Sequence, residues 1–179
     1  MMISYSRDVT MNGDDAIVNV FYQMKAGGPL DIRWIQWLIT DAKLYTGRPT
    51  MLTWKTEEGR RVQFFPNGTI QLMGKLTEEQ AMALHDKVQT LLEMDISKPV
   101  IRNIVLCVKF SQRVTFTNIP SNKDINYNPE LFPAALVTRW HPAHISLFRS
   151  GSAIVTGVKS MAAARQIMAD FDAYMKTYA

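Results

Sequence analysis

Asn67-Gly68-Thr69-Ile70-Gln71-Leu72-Met73-Gly74 and Ser150-Gly151-Ser152-Ala153-Ile154-Val155-Thr156-Gly157 are two versions of one hairpin segment. Gly68 to Gly151 and Gly74 to Gly157 both span 83 residues. Phe65 and Phe148 keep that interval, and Tyr45 and Tyr127 are 82 apart. A helical pattern follows each segment, and an apolar opening precedes each: Ala16-Ile17-Val18 in one case, Asn103-Ile104-Val105 in the other. A fixed period with a fixed order of elements marks an internal duplication. The chain therefore divides into units 12–95 and 96–179, joined at Asp95-Ile96-Ser97-Lys98-Pro99.

In the first unit, residues 16–23 read as a strand, rich in Val, Ile, Phe and Tyr. Residues 30–44 read as a helix with Trp34, Ile35, Leu38 and Ala42 on one face and Gly47 beyond its end. Strands are expected at 51–55, 60–65 and 69–73, the last two joined through Pro66-Asn67-Gly68, because Asn and Gly tolerate positive φ. Asn67-Gly68-Thr69 also spells a glycosylation sequon, read here as that turn. Thr77 with Gln80 predicts a capping box opening a helix over 77–92, whose apolar stripe is Ala81, Leu84, Val88, Leu91 and Leu92. The second unit repeats the order. Strand 101–110 leads into an irregular stretch at 113–128, then strands 134–140, 144–149 and 153–157, then a helix over 160–178 with Ala164, Ile167, Met168, Phe171 and Met175 on one face. A strand meander with helices on one side is an α+β layer. Two such units pair edge to edge into one long antiparallel sheet, which removes an exposed edge from each and leaves one face bare of helices.

The 179 residues suit one domain or two small ones, and 47% hydrophobic with 20% charged residues excludes a disordered chain. No apolar run approaches the roughly 20 residues that span a bilayer. The opening, MMISYSRDVTMNGDD, turns acidic where a signal peptide needs an apolar core. Cys107 is the single cysteine, so neither an internal disulfide nor a cysteine-built zinc site is available. It sits in an apolar strand and reads as packing rather than as a nucleophile. His141 and His144 lie three apart without a flanking carboxylate, short of the three or four ligands a metal needs. Glu57-Glu58 fall in a turn, and Glu78-Glu79 fit a helix start through the helix dipole. No G-x-S-x-G, P-loop or dinucleotide fingerprint appears. The expectation is a protein without enzymatic activity or cofactor.

Charge is uneven. Residues 1–95 carry 10 Lys+Arg against 12 Asp+Glu, and residues 96–179 carry 10 against 4, so the halves stand at −2 and +6. A basic half suits an anionic partner such as nucleic acid, and equally suits solubility alone.

Tyr127-Asn128-Pro129-Glu130-Leu131-Phe132-Pro133, then Leu147-Phe148-Arg149-Ser150-Gly151, then Val155-Thr156-Gly157-Val158-Lys159, closely resemble the second repeat of the TATA-box-binding protein family. That family carries Y-x-P-E-L-F-P, F-x-S-G and V/L-T-G-A-K in this order and at nearly this spacing, the Phe132-to-Phe148 interval here being one residue shorter. Arg102-Asn103-Ile104-Val105 resembles its Q-N-I-V strand. The first unit resembles the first repeat more faintly, through Leu30-Asp31-Ile32 and Phe65-x-Asn67-Gly68. The resemblance implies a saddle: a curved antiparallel sheet that grips A·T-rich promoter DNA by its concave face, with four helices on the convex side.

It also implies roles. Phe132 and Phe148 are the wedge pair that unstacks a base step, Asn103 is a central hydrogen-bonder in the groove, and Val105, Ile154 and Thr156 line the sheet face. Arg149 and Lys159 lie where phosphates pass, and Phe65 and Ile17 are the first unit's counterparts. Glu130 and Leu131 match the pair that contacts transcription factor IIB. Outside that motif, Phe132 and Phe148 read as core aromatics and Glu130 as a solvated loop carboxylate.

The first unit departs from the pattern. No phenylalanine stands near Arg48-Pro49-Thr50-Met51, Asp15 falls near the place of the central asparagine, and Gln63, Gln71 and Met73 replace apolar residues and threonine. A carboxylate is repelled by groove acceptors and phosphates. Two expectations follow. One is a divergent TATA-binding-type initiation factor that binds and bends A·T-rich DNA in the minor groove and recruits a factor IIB-like protein. The other is an interaction module of a transcription complex, with other transcription subunits as partners and no independent DNA binding. Either works in the nucleus, or in a cytoplasmic viral factory if the chain is viral, and neither involves a membrane.

Overall fold

A computed structural model of the chain describes residues 16–109 and 124–176. Its contacts gather into two compact units, Asn19–Arg102 on one hand and Met1–Val18 with Asn103–Ala179 on the other.

Most of the first unit is a meander. β1 (Ile17–Lys25) is followed by α1 (Ile32–Leu38), β2 (Lys43–Tyr45), β3 (Met51–Lys55), β4 (Arg61–Phe64), β5 (Thr69–Gly74) and α2 (Glu78–Leu92). The strands lie in the order β2-β3-β4-β5-β1, each neighbour antiparallel. Asp31 starts α1 by accepting from the N–H groups of Arg33 and Trp34. The helix ends at Leu38, far short of residue 44. Ile39-Thr40-Asp41 are poor helix formers, and residues 43–45 gain sheet partners instead, with Lys43 opposite Thr53 and Tyr45 opposite Met51. This short helix buries Ile32 and Ile35, and Ala42 beyond it is buried too, while Trp34 of the anticipated face is 44% exposed.

The capping box of α2 forms as expected, with Thr77 and Gln80 satisfying each other's backbone N–H groups. Buried Tyr22, Leu72, Val62 and Trp54 stand opposite one another across β1, β5, β4 and β3. Lys87 of α2 lies 4.9 Å above the Trp54 ring, which fixes this row as the helix-covered side. Buried His85 joins α2 to the Ile96 carbonyl at 2.9 Å and so ties the end of the unit to its helix.

The second unit repeats the plan. β6 (Val100–Lys109), β7 (Ile125–Asn126), β8 (Ala134–Val137), β9 (His144–Phe148), β10 (Ser152–Val158) and α3 (Met161–Lys176) follow in sequence, with antiparallel order β6-β10-β9-β8-β7. β8 stops at Val137 rather than 140 because Trp140 leaves the sheet to pack edge-on against Phe171 (5.9 Å) and Tyr174 (5.5 Å) of α3. Three helices lie among the described residues; most of the irregular stretch 113–128 falls outside them, and its end forms β7. The architecture is α+β, as the pattern of elements predicts.

One polar atom in the first unit is out of place. The Tyr22 hydroxyl is buried without a hydrogen-bond partner. Burial, then the charges of Glu78 and Glu79, raise the phenol above its ordinary 10.0. A raised folded-state pKa means that folding favours the neutral phenol. That contribution is whole below the unfolded pKa and is lost as pH rises toward the folded value. Tyr22→Phe is expected to match or exceed the parent in stability at neutral pH, by up to about 1 kcal/mol. Its advantage grows above pH of about 10. Urea unfolding at neutral and alkaline pH checks both.

Candidate nucleic-acid interface

Strand alternation leaves a second face in each unit. In the unit containing Asn103–Ala179, the positions opposite the buried Ile104, Leu106, Ile145, Leu147, Ala153 and Val155 are half-buried or exposed. They are Asn103 and Val105 on β6, Ile154 and Thr156 on β10, His144, Ser146 and Phe148 on β9, and Leu136 on β8. Register sets them in rows: Cys107, Ile154, Ser146, Leu136 and Asn126 in one, Thr156 beside His144 in another. Asn103 is held firmly. Its Oδ1 accepts from the Gly157 N–H at 2.7 Å, at the bulge that interrupts β10 between Val155 and Val158. With the oxygen so engaged, the amide NH2 remains to donate, which suits the acceptors of a minor-groove floor. Gly157 makes this possible: its φ is +82, and a Cβ there would strike the Pro142 carbonyl oxygen.

The two predicted wedge residues come together. Phe132 is 43% exposed, and its ring centroid lies 6.3 Å from that of half-buried Phe148 at 60°. Asn128 shapes the approach. Its carbonyl accepts from Leu131 and Phe132, and its side chain accepts from the Glu130 N–H. That turn pushes out Glu130 and leaves Leu131 83% exposed. Arg149 is exposed beside the wedge, its guanidinium 5.8 Å from the Tyr127 ring, and Lys159 is exposed just past β10.

In the unit Asn19–Arg102 the open positions are Asn19, Phe21, Gln23 and Lys25 on β1, Gln71 and Met73 on β5, Arg61, Gln63 and Phe65 at β4, Met51, Thr53 and Lys55 on β3, and Lys43 on β2. Phe65 is half-buried at the hairpin, where its backbone bonds Thr69 and Gly68. Two sequence expectations need correction. Ile17 is 7% exposed and faces the core, so it is not a surface residue. Matching Ala16-Ile17-Val18 to Asn103-Ile104-Val105 slipped by three residues. Tyr22 pairs with Leu72 as Leu106 pairs with Val155, so Asn19-Val20-Phe21 is the true counterpart. Asparagine thus stands at the same register position in both units. Asp15, feared at that place, lies outside the described residues. Sequence reasoning missed Asn19, Phe21 and Gln23, although the hairpin interval read back from Asn103 lands beside Asn19. Leu52 opposite Phe64 matches Ala135 opposite Leu147, so three residues earlier Pro49 occupies the place of Phe132.

The charge on these faces differs from the charge of the halves. Among the described residues no Asp or Glu lies in a strand. These acids sit in turns, caps and helices, where several have structural work. Thr56 lowers the Glu58 pKa by a hydrogen bond, and the N-terminal turn of α2 lowers that of Glu79, through its own backbone and then Thr77. The open face of the first unit carries Lys25, Lys43, Lys55 and Arg61 and no acid.

Two units of one plan, each a sheet bared on one side and cleared of carboxylates, define a duplicated sheet-face protein. Residues 98–178 match the family model described as transcription factor TFIID, or TATA-binding protein (TBP). The structure is similar to that of Methanococcus jannaschii TBP, with a TM-score of 0.71 at 22% identity, over 90% of this chain and 97% of that one. No curated protein matches in sequence. Its second half is thus similar in sequence to the TATA-binding protein family, and its fold is that of TBP.

The bulge that holds Asn103 is open to test. Gly157→Ala is expected to cost about 2 kcal/mol or more, from left-handed backbone and the clash with Pro142. Gly59→Ala, equally left-handed at φ +80 but with nothing near its Cβ, costs about half that. Denaturant midpoints of the two variants make the comparison.

Proposed function

We propose that this chain is a divergent TATA-binding-type initiation factor. In this reading it binds and bends A·T-rich promoter DNA through the minor groove and recruits a factor IIB-like protein. The observation that carries the reading is the Phe132–Phe148 pair, two rings in mutual contact at the rim of an acid-free sheet face. Apolar side chains that part a base step cost a few kcal/mol in lost stacking, offset by contacts along the bent groove. Val105, Ile154 and Thr156 supply apolar and β-branched surface for the groove floor, and the Asn103 amide supplies a donor. Arg149 and Lys159 supply charge for phosphates. Glu130 and Leu131, raised on the Asn128 turn, form the docking point for the factor IIB-like partner. The sequence repeats are 12–95 and 96–179, and the working place is the nucleus, or a viral factory for a viral chain.

A second reading has its own observation. Pro49 precedes Leu52 by three residues as Phe132 precedes Ala135, so the first unit has no aromatic at the counterpart of Phe132. This favours a TBP-fold interaction module that reaches promoters with other subunits and binds no duplex by itself.

Mobility shift and bend measurement on duplexes selected from a random pool decide between them. Phe132→Ala and Phe148→Ala are each expected to weaken binding roughly tenfold and to reduce bending. Unchanged bending removes the wedge. Absence of any duplex binding, with capture of a factor IIB homologue, establishes the module instead. Leu131→Ala is expected to lose that capture while leaving the duplex shift intact, as seen in a pull-down beside the same gel.

A further inference from the structure

Gln23, Gln71 and Gln63 stand directly opposite one another on β1, β5 and β4, on the open face of the unit Asn19–Arg102. Thr53 and Lys43 continue the row. The matching row of the other unit is Cys107, Ile154, Ser146, Leu136 and Asn126, with no amide among its first four. All three glutamines are half-buried. Beyond the backbone ladder, the Gln23 and Gln71 side chains make no hydrogen bond to a described residue.

Gln63 has a fixed orientation. Its Nε2 lies 3.3 Å from the Met51 sulfur and 3.4 Å from the Thr53 hydroxyl. A thioether only accepts, so the NH2 end must face Met51. The donor end of Gln63 is therefore committed within the protein, and its carbonyl oxygen is left toward the open face. That oxygen is available to accept from a ligand.

In the minor groove, A·T and T·A pairs present acceptors only, whereas a G·C pair adds the guanine N2 amine. An apolar sheet floor excludes that amine, because covering it without a partner costs its full desolvation. A floor of amide carbonyls does the reverse. We infer that the face of the first unit reads a G·C-containing half-site, with the Gln63 carbonyl accepting from guanine N2 and Gln71 and Gln23 extending the same amide row. The bound sequence is then A·T-rich where it meets Ile154, Thr156 and Val105, and interrupted by G·C where it meets the glutamines. This rests on the minor-groove reading above.

The test starts from duplexes selected out of a random pool by the whole protein. Each selected G·C pair in turn is replaced by inosine·C, which keeps the pairing and deletes only the N2 amine. At one position the unmodified protein is expected to lose about threefold to tenfold in affinity, the worth of one hydrogen bond. Gln63→Val is expected to abolish that sensitivity and to shift selection toward A·T at the same position. Selected sites that are A·T throughout, or equal affinity for guanine and inosine at every position, overturn the inference while leaving minor-groove binding in place. Failure to bind any duplex overturns both, and is told apart because no sequence is then recovered. The inosine comparison uses the unaltered protein, so it stands even if the variant folds poorly.

Discussion

A β-strand sends successive side chains to opposite faces, and in each unit of this chain one of those faces is taken by a helix. That constraint makes the rest possible. Once Tyr22, Leu72, Val62 and Trp54 are committed to the covered side, their neighbours Phe21, Gln23, Gln71, Gln63 and Thr53 have no choice but the open one. The open face is therefore not a patch left over from folding. It is specified residue by residue by the same alternation that builds the core, and its chemistry varies freely because the core does not depend on it.

Charge placement follows from the same separation. The first half sums to −2, which argues against a polyanion when counted along the chain. Its acids, however, serve as a helix cap at Asp31, as first-turn residues at Glu78 and Glu79, and in the turn at Glu57 and Glu58. These positions belong to helices and connections, and the strands keep only bases. At physiological salt a charge is felt over roughly 8 Å. What a partner meets on the sheet is thus the local sign, set by Lys43, Lys55 and Arg61, rather than the sum for the half.

Much of this was legible in the sequence. Thr77 and Gln80 announced α2 because a capping box is a local signal, independent of tertiary context. The Asn67-Gly68 and Ser150-Gly151 turns located both hairpins for the same reason. The motif around Phe132 and Phe148 singled out two rings that lie together, their centroids 6.3 Å apart. What failed was whatever depended on partners distant in sequence. β2 looked helical until β3 was there to pair with it, and Trp140 looked like strand until α3 was there to receive it. The slip that put Ile17 in place of Asn19 has the same origin, since register is decided by the pairing of Tyr22 with Leu72 and not by the local run of apolar residues.

The open faces of the two units differ in chemistry. The second has two rings in contact, the Gly157 bulge and a row in which Cys107, Ile154 and Leu136 outnumber Ser146 and Asn126. The first keeps the register asparagine and the clean sheet face but trades a ring for Pro49 and the apolar row for amides. Loss of function alone relaxes a surface toward arbitrary residues, acids included. Here the described strands of the first unit carry hydrogen-bonding capacity in a single cross-strand row and no carboxylate. Such a pattern fits a surface shaped for an anionic, hydrogen-bonding ligand better than one left without a role.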